Sequence, residues 1–186
     1  MKLKVFKREL LKKSESNKIR REGNIPAILY NRGKSNDAIV VDGSEFNKLL
    51  RSVQPGRLST TIFTLQDESG KPRRAILKEI QYHPTTYSVQ HLDFEELFDD
   101  VKVTLNVPIE CTGVADCVGV KLGGVMRQVI RKLRVSCLPK DIPTVFYVDV
   151  KNMGQNDKKR LAELEIPQSV RPVVNLNEVA VVIAKR

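Results

Sequence analysis

Histidine and cysteine are scarce in this chain, and long apolar runs are missing. Cysteine occurs three times, at Cys111, Cys117 and Cys137. An odd number confined to the second half makes no disulfide framework and suits reduced thiols in a cytoplasm. It also makes a poor zinc site, because five residues separate Cys111 from Cys117 and Cys137 has no fourth ligand nearby. No stretch approaches the ~20 apolar residues of a membrane span. Residues 1–11 alternate charge with apolar side chains, which excludes a signal peptide. Gly113, Gly119, Gly123 and Gly124 fit neither the phosphate-binding loop nor the dinucleotide fingerprint, and read as turns or bulges. No Gly-x-Ser-x-Gly elbow supports serine catalysis.

Cations, by contrast, are plentiful and unevenly placed. The 186 residues carry a net charge of +10. Residues 1–34 hold eleven Lys/Arg against three Asp/Glu, residues 35–94 seven against seven, and residues 95–186 fourteen against twelve. Such a concentrated basic zone favours a polyanion, since bound cations release counterions from a phosphate backbone. A membrane surface would also need a bulky apolar helix face, which Leu10, Leu11 and Ile19 are too few to make.

The basic zone contains the stretch that organises the chain. Residues 16–22 read as a short basic helix turn, capped by Ser16 and ended by Gly23 in the left-handed conformation. Residues 25–30 read as an apolar strand with Pro26 near its start. Tyr30-Asn31-Arg32-Gly33-Lys34 is a turn with an aromatic and two more cations. Phosphate-gripping charge beside a stacking surface suggests nucleic-acid binding, against the plainer alternative of a solvated helix beside a core strand.

Periodicity gives a mainly β fold. Strands are expected over residues 3–8, 25–30, 38–42, 60–66, 73–81 and 88–94. A helix capped by Ser44 carries Phe46, Leu49, Leu50 and Val53 at helical spacing. Six short strands and one or two short helices in residues 1–94 imply a small, partly closed β-barrel. The acidic run at residues 95–100 marks a change to a second, mainly β domain over residues 95–186. There, residues 101–109 alternate cleanly, and Asp157 is placed to cap a short helix with Leu161 and Leu164.

The only histidines, His83 and His91, lie near Asp93. His91 and Asp93 share a strand face. Two His and a carboxylate can hold iron or zinc, which makes a metal-dependent enzyme the alternative. The spacing does not specify a metal, and a polar cluster that hydrogen-bonds RNA is the preferred reading. Tyr82 and Tyr87 flank the turn at His83-Pro84 and are expected to be half-buried rather than stacked on bases.

Asn24-Ile25-Pro26-Ala27-Ile28-Leu29-Tyr30 after Arg20-Arg21-Glu22-Gly23, then Ile80-Gln81-Tyr82-His83-Pro84 and His91-Leu92-Asp93-Phe94, resembles the bacterial large-subunit ribosomal protein L-twenty-five family. Gly119-Val120-Lys121-Leu122-Gly123-Gly124-Val125 and Cys137-Leu138-Pro139-Lys140-Asp141-Ile142-Pro143 resemble its long form, the general stress protein Ctc. The resemblance implies a barrel that binds 5S rRNA at its loop E region, a second β domain, other large-subunit components as partners and a cytoplasmic, ribosome-associated location. It implies no catalysis, cofactor, metal, membrane or small-molecule substrate. The family's RNA-contacting positions fall on Arg8, Lys13, Ser16, Lys18, Arg20, Tyr30, Gln81, His83, His91 and Asp93. The family carries Arg where Asn17 and Tyr82 stand, Gly where Asn31 stands, and Gly-Lys-Gly in place of Lys12-Lys13-Ser14. Lys12, Arg21 and Arg32 replace some of the missing charge, though a lysine does not reproduce the guanidinium fork.

Overall fold

The computed structural model describes residues 1–8, 13–30, 36–67 and 72–185, arranged as two compact units, Met1–Val101 and Lys102–Arg186. In the first, six strands close a barrel: β1 (Lys2–Lys7), β2 (Asn24–Tyr30), β3 (Asp37–Asp42), β4 (Ile62–Gln66), β5 (Pro72–Tyr82) and β6 (Val89–Glu96). The strand order is β1-β3-β2-β6-β5-β4, closed by parallel pairing of β1 with β4. The acidic run does not break the sheet. β6 continues through Glu96, and the buried Leu97 donates its N–H to the Arg74 carbonyl.

Alternation builds the core. Leu3 and Val5 of β1, Ile25, Ala27 and Leu29 of β2, and Leu92 and Phe94 of β6 all point inward. Phe63 and Phe94 meet edge to face, with centroids 5.8 Å apart. The helix α2 (Gly43–Ser52) adds Phe46, which is wholly buried in the same core. Its cap is Asp42, not the expected Ser44. The Asp42 carboxylate accepts from the Ser44 and Glu45 N–H groups, which sets the helix start earlier.

One irregularity matters for the outer surface. Ala75, Ile76 and Leu77 are buried in succession, and the β5–β6 register shifts between Leu77 and Glu79. Leu77 opposes the inward Phe94, whereas Glu79 opposes Asp93 and Gln81 opposes His91. Lys78 is thus the extra residue of a bulge, which turns Glu79 and Gln81 outward. Without it, strict alternation would bury Gln81 on the same side as Leu77.

The second unit has two open sheets. One is ordered β10-β7-β9-β12, from β7 (Val103–Thr112), β9 (Lys132–Cys137), β10 (Phe146–Asp149) and β12 (Arg171–Pro172). The other is β11-β13-β8, from β8 (Val125–Gln128), β11 (Lys158–Arg160) and β13 (Val179–Ala184). A four-residue helix, α3 (Val118–Lys121), precedes β8. The helix expected after Asp157 is not formed. Residues Lys158–Arg160 pair with β13 instead, and only a single 3-10 turn, Leu161–Glu163, follows. The Asp157 carboxylate accepts from the Gly154 N–H, so it closes a turn rather than capping a helix. Cys117 and Cys137 are buried, and burial pushes the Cys137 thiol above its ordinary pKa, with the Asp141 charge adding to the effect.

Candidate nucleic-acid interface

The helix α1 (Lys13–Arg21) packs against β2. It begins before Ser16, so Ser16 is an interior residue and not the cap. Its hydroxyl instead accepts from Arg8 Nη1 at 3.2 Å. Ser16, Ile19 and Arg20 fall at helical spacing on the half-buried face, while Lys18 and Arg21 are exposed. Arg20 latches the helix to the barrel, donating Nε to the Gln90 carbonyl at 3.2 Å and Nη1 to the Asn17 amide oxygen at 3.2 Å. The helix ends at Gly23, whose φ of +83° only glycine adopts without strain. A Cβ on the facing Gly43 would overlap the Gly23 carbonyl oxygen, so the two glycines let the ends of α1 and α2 touch.

The Arg8 and Arg20 charges repel one another. Burial, then the Arg20 charge, pulls the Arg8 guanidinium below its ordinary pKa, and Glu15 only partly opposes this. Arg8 Nε is buried and has no hydrogen-bond partner among the described residues. A desolvated cation beside another cation is an anion site in electrostatic terms.

The second part of the site lies on the outer faces of β2, β5 and β6. The Tyr30 hydroxyl donates to Asp93 Oδ2 at 3.0 Å. Burial first, then this bond, raises the Tyr30 pKa, with the Asp93 and Glu79 charges adding to it, so the phenol keeps its proton at neutral pH. His91 Nδ1 lies 2.7 Å from Asp93 Oδ1. The two atoms are close but misaligned, and neither has a hydrogen-bond partner among the described residues. Gln81 stands exposed opposite His91. The bulge at Lys78 is what brings Gln81 to this patch.

His83 takes a different position. It lies in the turn between β5 and β6, and its Nδ1 accepts from the Thr85 and Thr86 N–H groups, both at 3.3 Å. Among the described residues no group of three His, Cys, Asp or Glu is placed to hold a metal ion. Tyr82 and Tyr87 depart from the half-buried expectation in degree: Tyr82 is 48% exposed, and Tyr87, with a φ of +53°, is 78% exposed. Lys12 and Arg32 lie outside the described residues, as does the Lys13 side chain. Reading the sequence alone missed Glu79 and the Gln90 carbonyl. The consecutive apolar residues at 75–77 are the one signal of the bulge that exposes Glu79. No helix among the described residues is long and apolar enough to cross a membrane.

Comparison with known proteins matches residues 3–94 to the Ribosomal L25p family and residues 102–186 to the C-terminal domain of ribosomal protein TL5. Three relatives named large ribosomal subunit protein bL25 align over the full length of both chains. They come from Chlamydia trachomatis serovar L2 at 52% identity, Chlamydia muridarum at 50% and Chlamydia pneumoniae at 47%.

Proposed function

Because the chain belongs to the ribosomal L25p family, in the long form that adds a TL5-type C-terminal domain, we propose that it is a structural component of the large ribosomal subunit that binds 5S rRNA at loop E through the barrel. The family is one of structural ribosomal proteins rather than enzymes, and its place is in the cytoplasm on the ribosome. The metal-enzyme alternative has nothing in its favour.

One observation carries the reading. Arg8 Nε is buried without a hydrogen-bond partner among the described residues, and His91 Nδ1 and Asp93 Oδ1 are buried with only their 2.7 Å contact to each other. Leaving such a group unsatisfied costs about 1–3 kcal/mol, so a partner that satisfies it is strongly favoured. An RNA groove supplies both kinds of partner. Phosphate oxygens accept from Arg8, with Lys13, Lys18, Arg20, Arg21 and the neighbouring Lys12 and Arg32 adding charge that positions the chain. Base amino groups and 2′-hydroxyls donate to Asp93, which Tyr30 holds by its other oxygen. Gln81 and His91 read base edges beside it, while Ser16 fixes Arg8 and His83 shapes the turn. Ordinary A-form RNA hides its major groove, so an internal loop with irregular pairs is the readable target. The test is footprinting of 5S rRNA with the purified protein. Protection confined to loop E supports the assignment, and protection elsewhere or none at all overturns it.

A further inference from the structure

The geometry points to a second RNA-binding surface, on the outer face of the four-stranded sheet of the second unit. Residues 132–137 of β9 and 103–107 of β7 alternate, whereas Pro108, opposite Lys132, is buried. Val103, Leu105, Leu133 and Val135 are buried, so Thr104, Asn106, Lys132, Arg134 and Ser136 face outward. Arg134 opposes Asn106, and Ser136 lies between Thr104 on one side and Arg171 of β12 on the other. Lys132, Arg134 and Arg171 therefore stand on one face. Strand geometry separates Lys132 from Arg134 by about 7 Å and sets Arg171 diagonally from Arg134 at about 7–8 Å. All three are exposed, and none has an acidic partner among the described residues. Glu110 of β7 lies on the same face, diagonal to Lys132.

The plainer explanation is that cations protect a sheet edge from pairing. It accounts for Arg171, since β12 is an edge strand, and for Lys132, which β12 does not reach, but not for Arg134. Arg134 is paired on both sides, opposite Asn106 of β7 and accepting the Val173 N–H at its carbonyl. Nor is the cluster a by-product of overall charge, because residues 95–186 hold fourteen cations against twelve anions. Two guanidiniums and an ammonium on an extended face complement a phosphate backbone rather than an apolar partner. The occupant is the backbone of a structured RNA, contacted without regard to sequence.

The test is covalent footprinting of lysine and arginine in the full chain, with and without a saturating RNA duplex of arbitrary sequence. Modification of Lys132, Arg134 and Arg171 should slow at least fivefold. Lys151, Lys158 and Lys185, exposed in the same unit but off this face, should slow less than twofold. Equal protection of both sets, or no protection of the first, overturns the proposal. A full-length Lys132→Gln/Arg134→Gln/Arg171→Gln variant should bind the duplex at least threefold more weakly at low salt. The charge-matched Lys151→Gln/Lys158→Gln/Lys185→Gln variant should lose less than half as much affinity, and equal losses would again overturn it.

Discussion

The two β units handle their strand edges and their charge differently. The first closes its sheet, so every strand is paired on both sides. The second leaves β10, β12, β11 and β8 as edges. The first places most of the chain's excess positive charge in residues 1–34, and elsewhere in its barrel as well as in that segment it holds buried polar atoms, Arg8 Nε, His91 Nδ1 and Asp93 Oδ1, that make no hydrogen bond among the described residues. The second has none of these atoms among the described residues. A closed barrel has no slack in its backbone pairing and holds its outer side chains rigidly. It can therefore keep a few polar groups unsatisfied until a partner arrives, which is preorganisation in physical terms. The open sheets instead carry solvated charge, suited at most to contacts that ignore sequence.

The comparison is broken most directly by cutting the chain. A fragment of residues 1–101 should keep 5S rRNA binding within about threefold, while residues 102–186 should fall to a non-specific level, weaker by about 1000-fold or more. The cut belongs after Val101, because Leu97 is buried and bonded to Arg74. Comparable 5S affinity in the second fragment would reverse the roles of the units.

Rigidity of the barrel rests on its core. Phe46→Ala removes a wholly buried ring and should cost about 3–5 kcal/mol in denaturant unfolding. A smaller effect is expected from the ion network that ties strands together at one end. Arg73 meets Asp37 at 2.5 Å, Asp67 at 3.9 Å and Glu96 at 4.0 Å. These contacts, the Asp37 bond foremost, raise the Arg73 pKa. The site is partly exposed, so Arg73→Ala should cost only about 1–2 kcal/mol, and less at high salt. A loss that salt does not change would mean the side chain acts by packing its stem.

Smallest is the cap of α2. Asp42→Ala should cost about 1 kcal/mol at neutral pH. The bond to Ser44 and the Glu45 N–H lower the Asp42 pKa, so its contribution is present above the unfolded value and is lost as pH falls through the folded one. Wild type and variant should therefore differ at pH 7 and converge below about pH 4. A difference that persists in acid would mean the aspartate acts by shape and not by charge.

The barrel was legible in the sequence because its strands alternate and its turns carry their own chemistry. Leu3 and Val5, or Ile25, Ala27 and Leu29, declare their faces by period two, and Gly23 declares the end of α1. What escaped depended on tertiary pairing. A bulge at Lys78 leaves no local signature except three buried residues in a row, yet it sets the facing of Gln81 and Glu79. The preference of Lys158–Arg160 for strand over helix was decided by the partner β13, a long-range contact invisible to a window of neighbours. The Asp42 cap was missed because Ser44 has the same capping chemistry two residues later. The nearness of Tyr30, His91 and Asp93 followed from β2 lying parallel to β6, with Tyr30 opposite Glu95 and Ile28 opposite Asp93. That pairing joins segments some sixty residues apart.

The Tyr30–Asp93–His91 patch is expected to read RNA rather than merely to tolerate it. The measurement is the affinity of Asp93→Ala for 5S rRNA and for an unrelated structured RNA at one fixed salt concentration. Removing a negative charge should, by simple electrostatics, tighten binding to any RNA. If Asp93 accepts hydrogen bonds from loop E, its loss costs about 1–3 kcal/mol on 5S rRNA. Binding to 5S rRNA should weaken, while binding to the unrelated RNA stays unchanged or tightens slightly. Tighter binding of the variant to 5S rRNA would contradict it and leave Asp93 as a partner for Tyr30 alone.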